Sequence, residues 1–343
     1  MLLFAAVLTV GTFSACRKPN TPAQTEEQSK TEKPSESEKP SADTDKPSKP
    51  RDTGKPSDSV KPSVDTDKPS ETEKPVTDGL EYFPLSDGTY AVAVGNAMHL
   101  SEIVIPSTHG GKAVTQIMWG GFSGRGSLKH ITIPDSVTLI GDYAFSGCSG
   151  VTGITIGNGV TSISDSAFDG CNNIRFATMP TSAIGYLSKN ALIKVVLTSG
   201  TSIRDSAFSA YSNLTSITIP NSVTSLGEWA FFNCSSLTSI TIPDSVMSID
   251  DSAFYGCSGL TSITIPDGVT IIDDSAFNGC SLTEITIPNG VTRIGKYAFA
   301  RCSGLESINY DGTMEQWNAI EKDSDWRSYW SGSVICTDGT IAY

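Results

Sequence analysis

Histidine is scarce in this sequence, and the short motifs of common enzymes are missing. Its 343 residues include only three histidines, His99, His109 and His130. There is no HExxH, no GxSxG, no Walker loop and no glycine-rich dinucleotide fingerprint, the patterns that mark metalloproteases, serine hydrolases and nucleotide-binding enzymes. Carboxylates are common, but they recur with an internal repeat and do not single out an acid–base pair. We therefore predict that the protein is not an enzyme and uses no cofactor or metal.

Positive charge and long apolar runs are also scarce. Lys and Arg number 24 against 37 Asp and Glu, which gives a formal net charge of −13. An acidic protein repels phosphate backbones, so nucleic acid is not expected as a partner. The apolar run at residues 2–13 is shorter than the roughly 20 residues that a membrane-spanning helix needs.

The chain begins MLLFAAVLTVGTFSAC, in which the small residues Ser14 and Ala15 precede Cys16. This pattern resembles a bacterial lipoprotein signal, in which the cysteine becomes the lipidated first residue of the mature protein. We predict a signal peptide at 1–16 with Cys16 as the lipidation site; an ordinary cleaved secretory signal is the alternative. The expected location is the cell surface, with a lipid anchor in a bacterial membrane and the outer membrane favoured, or secretion.

Residues 17–78 consist of Lys-Pro steps separated mainly by Ser, Thr, Asp and Glu. Such a segment has too little apolar surface to offset the chain entropy lost on folding, and its prolines favour extended conformations. We predict a disordered linker that holds the following domain clear of a membrane.

An internal repeat follows the linker. A phenylalanine preceded by alanine marks each copy, and successive markers lie 23, 40, 23, 23, 23 and 22 residues apart. The markers are Phe145, Phe168, Phe208, Phe231, Phe254, Phe277 and Phe299. One period of this length cannot bury its own apolar face, but stacked copies can share one core.

Each copy predicts two short strands and a turn. Within residues 237–257, Ser-Ile-Thr-Ile alternates with the period of two expected of a half-buried strand, and Pro243 ends it. A second extended stretch, SVMSID, follows, and Asp251 then precedes Ser-Ala-Phe as a cap for a single helical turn. Stacking aligns equivalent strands in parallel about 4.8 Å apart. The fold class predicted is a solenoid of stacked short parallel strands and short helical turns.

The pattern LxxIxIPxxVxxIxxxAFxxC resembles the BspA-like leucine-rich repeat family of bacterial surface proteins, over residues 101–308. The flanking sequences resemble the caps of that family, an N-terminal β cap at 79–100 and a C-terminal cap at 309–343. The resemblance implies a curved leucine-rich-repeat solenoid at the cell surface, with adhesion and protein binding as its roles. It also implies host extracellular-matrix proteins or bacterial surface proteins as partners. A monomer is expected.

One copy is longer than the others. Between Phe168 and Phe208 the spacing exceeds the period by 17 residues, and two apolar-rich runs flank the sequence SKN at 188–190. This arrangement predicts a β-hairpin insert near 181–198. Insertions in solenoids often lie on a binding face, and this one brings basic side chains to an acidic domain.

A cysteine recurs at one position of the repeat. The six copies are Cys148, Cys171, Cys234, Cys257, Cys280 and Cys302. Core filling is the favoured interpretation, because free cysteine packs as a small hydrophobe and Tyr211 takes the same position in another copy. Disulfides between stacked copies are the alternative; they are within reach, but side chains in register point in parallel. Metal binding and catalysis fit a straight row poorly.

A carboxylate also recurs once per copy, before the Ala-Phe pair. The column contains Asp142, Asp165, Asp205, Glu228, Asp251 and Asp274. Capping of the turn explains this position; calcium binding is the alternative, and Lys296 interrupts the column.

Small hydroxyl residues alternate with the inward isoleucines of the first strand. They predict a Ser/Thr surface on the sheet, either because threonine suits an exposed strand or because the hydroxyls bind a large partner. The predicted binding surface combines these residues with the insert: Thr218, Thr241, Thr264, Thr286, Ser216, Ser239, Ser262, Tyr186, Lys189 and Lys194.

Aromatic residues cluster near the C-terminus. They are Trp317, Trp326, Tyr329 and Trp330. A cap needs such bulk to seal the last repeat, and this is the favoured interpretation; a carbohydrate-binding module that uses these rings is the alternative function. A ligand-free structural scaffold is a third hypothesis. The leading hypothesis is a non-catalytic cell-surface adhesin or protein-interaction module.

Overall fold

The computed structural model describes residues 78–343. The predicted signal peptide, the lipidation site Cys16 and the predicted linker up to residue 77 lie outside the described residues. Within the described part, no helix is long and apolar enough to cross a bilayer. The described chain is a solenoid of parallel strands, as the repeat predicts.

The first strand of each repeat lies on one side of the solenoid, in two six-stranded sheets. The first sheet contains Glu102–Val104, His130–Ile133, Gly153–Ile156, Phe176–Met179, Lys194–Leu197 and Ser216–Thr218. The second contains Ser239–Thr241, Ser262–Thr264, Glu284–Ile287, Ser307–Tyr310, Ser333–Cys336 and Gly339–Ala342. All pairs are parallel except the last, which is antiparallel and closes the sheet. We call the outward side of these two sheets the sheet face.

The second strand of most repeats is shorter than the first, and the second strands form another side, again in two sheets. The N-terminal one contains Glu81–Pro84, Tyr90–Ala93, Thr108–His109, Lys112–Ile117, Leu139–Ile140 and Ser162–Ile163. The C-terminal one contains Ser202–Ile203, Ser225–Leu226, Ser248–Ile249, Ile271–Ile272, Arg293–Ile294 and Glu321–Lys322. An antiparallel hairpin, Glu81–Pro84 with Tyr90–Ala93, begins this side.

The core is a set of aligned apolar columns between these sides. Ile240 pairs with Ile263 in register, and both are buried because alternate side chains of a strand point to opposite faces. The marker phenylalanines stack on one another, with ring centroids 5.3 Å apart for Phe231 and Phe254 and 5.5 Å apart for Phe254 and Phe277. Burying each such side chain contributes about 1.5–3 kcal/mol, so the repeated pattern stabilises the stack as a whole.

A third side carries the Ala-Phe segments, and we call its outer surface the turn face. The segment is a series of turns with two left-handed residues, Ser252 and Gly256 in one copy, rather than a helical turn capped by aspartate. Ser252 has a φ of 53°, and its N–H donates to the carbonyl of Asp274 in the next repeat at 2.8 Å. The N–H groups that a capping Asp251 side chain would accept, those of Ala253 and Phe254, donate instead to Asp250 O at 3.1 Å and to Ala276 O of the next repeat at 2.8 Å.

Aspartates of the predicted column bond to the next repeat instead. The Asp205 carboxylate accepts the backbone N–H of Glu228 at 3.0 Å, and the Asp274 carboxylate accepts that of Lys296 at 2.8 Å. These carboxylates therefore fasten neighbouring repeats to each other.

The predicted hairpin at 181–198 is wrong. Lys194–Leu197 pairs in parallel with Phe176–Met179 on one side and with Ser216–Thr218 on the other. The long spacing thus contains an additional, shortened repeat that begins with Phe176–Met179, and a 3-10 helix, Thr181–Ala183, takes the place of its second strand. The strand Lys194–Leu197 begins the next repeat, where Leu192 and Val195 are buried like the equivalent apolar residues of the other copies.

The C-terminal cap holds the one α-helix of the described chain, Met314–Ala319. Thr313 and Gln316 form a capping box at its start, which satisfies two N–H groups that the helix leaves free. The ring of Trp326 lies edge-on to Phe299, with centroids 6.2 Å apart. The cap therefore seals the exposed end of the phenylalanine stack. A second 3-10 helix, Ala97–His99, follows the N-terminal hairpin.

Candidate functional site

The predicted Ser/Thr surface lies on the sheet face. Thr241 pairs with Thr264 and Ser239 with Ser262, and Thr264 also pairs with Thr286 in the next strand. Their hydroxyls point outward because the intervening isoleucines point in. A shallow groove with a volume of 350 Å³ lies over these residues. The surface offers closely spaced donors and acceptors and carries little charge.

Lys194 joins this surface, but the other two residues predicted from the insert do not lie on its strands. Lys194 is exposed and pairs with Ser216, two residues before the row that contains Thr218. Tyr186 is partly buried against the core, and Lys189 lies in the loop that leads to the Lys194 strand. The insert therefore contributes one residue to the sheet face rather than a separate binding element.

The sequence reasoning missed an exposed aromatic residue on the same face. Phe176 is 51% exposed and pairs with Lys194 on one side and Gly153 on the other. A Cβ atom at Gly153 would lie 2.6 Å from the His130 ring, so the His130 ring lies over the glycine backbone. We call His130, Phe176 and Lys194 the Phe176 patch.

A charged residue borders this patch. His130 Nδ1 lies 3.4 Å from the Glu102 carboxylate in the neighbouring strand. The N-terminal part of the sheet face thus combines an apolar ring with groups of different polarity, whereas the C-terminal part repeats hydroxyls. Aligning the strands by register would have revealed Phe176, because the equivalent residues in most copies are small or polar.

The repeat cysteines are buried and free. All six thiols lie within 3.2 Å of a phenylalanine carbonyl oxygen in the preceding repeat; Cys148 Sγ donates to Phe122 O at 3.0 Å and Cys257 Sγ to Phe231 O at 3.1 Å. Burial raises the pKa of Cys234 and of Cys302 to about 12, so these thiols stay protonated near neutral pH. They fill the core, as predicted, and they also satisfy a main-chain acceptor, which the sequence did not indicate.

The C-terminal aromatics are mostly unavailable to a ligand. Trp317, Trp326 and Trp330 are at most 5% exposed, and Trp330 Nε1 donates to Leu305 O at 2.6 Å. The alternative in which these indoles bind sugar is therefore wrong, because the cap needs them in its core. Only Tyr329 of this group is exposed, at 89%.

A known protein family matches most of the solenoid. The family model described as BspA type leucine rich repeat region matches in six copies, over residues 93–200 and 184–306. These spans include the three residues of the Phe176 patch. No curated protein matches the chain.

Several solved structures are similar to the described chain. The T. pallidum leucine rich repeat protein TpLRR is 24% identical, with a TM-score of 0.36, over 68% of this chain and 91% of that one. A leucine-rich repeat protein from Bacteroides ovatus is 23% identical, with a TM-score of 0.40, over 76% and 78%. A leucine rich cell surface protein from Faecalibacterium prausnitzii is 26% identical, with a TM-score of 0.32, over 74% and 99%.

Proposed function

Because the chain belongs to the BspA-type leucine-rich repeat family, we propose that it is a cell-surface adhesin that binds another protein through its sheet face. Proteins of this family typically act in protein interaction or at the surface. The proposed partners are host extracellular-matrix proteins or bacterial surface proteins. The observation that carries the proposal is the Phe176 patch, an exposed phenylalanine ring on a face whose other outward residues are mostly small or polar.

An exposed ring with a cation beside it is a suitable centre for a protein interface. A few aromatic and basic residues dominate binding energy in most interfaces, and they are surrounded by contacts that mainly exclude water. Phe176 and Lys194 supply such a centre, and the adjacent Ser/Thr rows supply a rim that hydrogen-bonds with little side-chain entropy to lose. The regular sheet keeps this surface rigid, which lowers the cost of binding.

Display at the surface completes the proposal. Cys16 would carry the lipid, and residues 17–78 would extend the solenoid away from an outer membrane; a secreted form is the alternative. The solenoid would act as a monomer and without catalysis, and the membrane would be contacted through the lipid alone.

The test measures binding of the full chain to a panel of purified extracellular-matrix proteins and to intact bacterial cells by biolayer interferometry. We expect Phe176→Ala to weaken binding to at least one of them about tenfold, and Lys194→Ala to weaken it less. Trp119→Ala is the matched control, since Trp119 is 71% exposed but lies outside the sheet face.

Equal binding by Phe176→Ala and the wild-type chain would contradict the sheet-face site. No binding to any member of the panel would instead support the ligand-free scaffold.

A further inference from the structure

A second cavity lies on the turn face, near the C-terminal cap. It has a volume of 560 Å³. The residues that give it its chemistry are Tyr255, Tyr297, Tyr329, Asn278, Arg301 and Asp325. None of them belongs to the sheet face, so this cavity is separate from the proposed protein-binding surface.

The cavity forms where columns of large turn residues are interrupted. Along one column Phe232 stacks on Tyr255 with centroids 5.2 Å apart, and Asn278 takes the next position. Along the neighbouring column Ser275 precedes Tyr297. The smaller residues between the tyrosines leave a depression that is bounded by aromatic rings. The left-handed backbone at Tyr297 (φ 60°) sets the direction of one of these rings.

Asn278, in the cavity lining, carries a side-chain oxygen that is buried and lacks a partner among residues 78–343. Asn278 is 8% exposed, and its Oδ1 has no hydrogen bond within the described chain. The backbone around it is fixed, because its N–H donates to Ser275 O at 3.0 Å and its carbonyl accepts from Gly256 at 2.8 Å. A buried polar atom without a partner destabilises a fold, and such atoms are few in folded proteins.

The rim provides charged donors and acceptors. Arg301 contributes a guanidinium with five N–H groups. Asp325 is about half exposed, and its carboxylate lies 3.8 Å from Lys296 Nζ, which leaves acceptor capacity on the cavity side.

We propose that this cavity binds a carbohydrate, one or two sugar rings of a glycan chain. A sugar ring has apolar C–H faces that pack on aromatic rings and hydroxyl groups that both donate and accept. The tyrosines match the first property, and Asn278, Arg301 and Asp325 match the second. Arg301 and Asp325 place charges of both signs in the cavity, which suits a neutral polyol better than an anion, and a purely apolar ligand would pair with neither. The sugar site is thus built of tyrosines, and the tryptophans of the cap have no part in it.

The test is isothermal titration calorimetry of the full chain with cellohexaose, mannohexaose and chitohexaose. We expect saturable binding of at least one of them. Tyr329→Ala and Asn278→Ala should each weaken that binding about tenfold or more. The matched control is Tyr143→Ala, because Tyr143 occupies the same left-handed repeat position as Tyr297 but lies outside the cavity.

The Asn278→Ala variant also has a stability readout. Since its Oδ1 has no partner in the free protein, the substitution should leave the thermal midpoint unchanged or raise it while binding falls. No binding of any of the three sugars would overturn the proposal. Binding unaffected by Tyr329→Ala, or weakened equally by Tyr143→Ala, would overturn it as well.

Discussion

The sheet face and the turn face are built from the same repeats, yet they carry different side chains. The sheet face mainly repeats small hydroxyls, because strands about 4.8 Å apart bring equivalent residues close together; the exposed ring of Phe176 is accommodated beside Gly153. The turn face carries Trp119, Trp229 and Tyr329, all at least half exposed. The left-handed position holds Ser206, Trp229 or Tyr297 with φ values of 56–60°. The repeat therefore fixes the backbone of the turn and leaves its outer side chain free to vary.

The largest expected effect is on the free energy of unfolding, and it compares the core behind the turn face with the core behind the sheet face. Phe254→Ala removes a fully buried ring from the stack between Phe231 and Phe277, so we expect a loss of about 3–5 kcal/mol in the free energy of unfolding. Ile263→Val beneath the sheet face should cost only about 0.5–1.5 kcal/mol. Urea unfolding followed by circular dichroism measures both. Similar losses for the two variants would mean that the phenylalanine stack does not dominate the turn side.

Alkaline pH should weaken the turn side through its thiols. Burial raises the pKa of Cys234 and Cys302 to about 12, above the value of about 8.5 for a free thiol. The unfolded chain therefore releases these protons first, and stability is complete below about pH 8.5 and falls between that pH and 12. Each thiol contributes about 1.4 kcal/mol per pH unit. Tyr211, whose pKa burial raises to about 12, acts in the same direction above pH 10.

Unfolding free energies at pH 8, 9, 10 and 11 test this dependence, and Cys302→Ala should show a shallower decline. A profile that stays flat to pH 11 would show that the thiols ionise in the folded chain.

The smallest effect belongs to the Ser/Thr rows. Thr264 is exposed, and its hydroxyl is not needed by the core, so Thr264→Ala should change the free energy of unfolding by less than about 0.5 kcal/mol. The same urea titration measures it, with Ile263→Val as the internal reference. A loss above about 1 kcal/mol would mean that the hydroxyl rows stabilise the sheet rather than serve an interaction.

The sequence predicted the solenoid because apolar spacing and strand alternation survive in almost every copy. Its errors have definite physical causes. Two apolar runs around a polar turn look alike in a hairpin and in a shortened repeat followed by the strand Lys194–Leu197. The first left-handed position of the turn was hidden because Ser252 and Tyr297 occupy it, where glycine would have marked it, as Gly256 marks the second position.

The candidate sites were harder to predict than the fold. Phe176 lies in a degenerate copy, RFATMP, which draws attention to the repeat rather than to its exposed ring. The tyrosine cavity forms because a small residue lies next to tyrosines at equivalent turn positions of successive repeats. This arrangement is visible only after the repeats are stacked. Cys257 was correctly assigned to the core, but its hydrogen bond to the preceding repeat needed the three-dimensional register.

The shortened repeat affects how the solenoid resists mechanical tension. Tension applied along a solenoid passes from one repeat to the next through strand pairing on each side. Pairing on the second side ends at Ser162–Ile163 and resumes only at Ser202–Ile203, so force there is borne by the sheet face and by side-chain bonds such as Ser182 Oγ to Val160 O, at 3.1 Å. Extension in an optical trap should therefore begin at this junction or between Ser216–Thr218 and Ser239–Thr241, where pairing on the sheet face is interrupted, and the stacks on either side should yield as separate mechanical units.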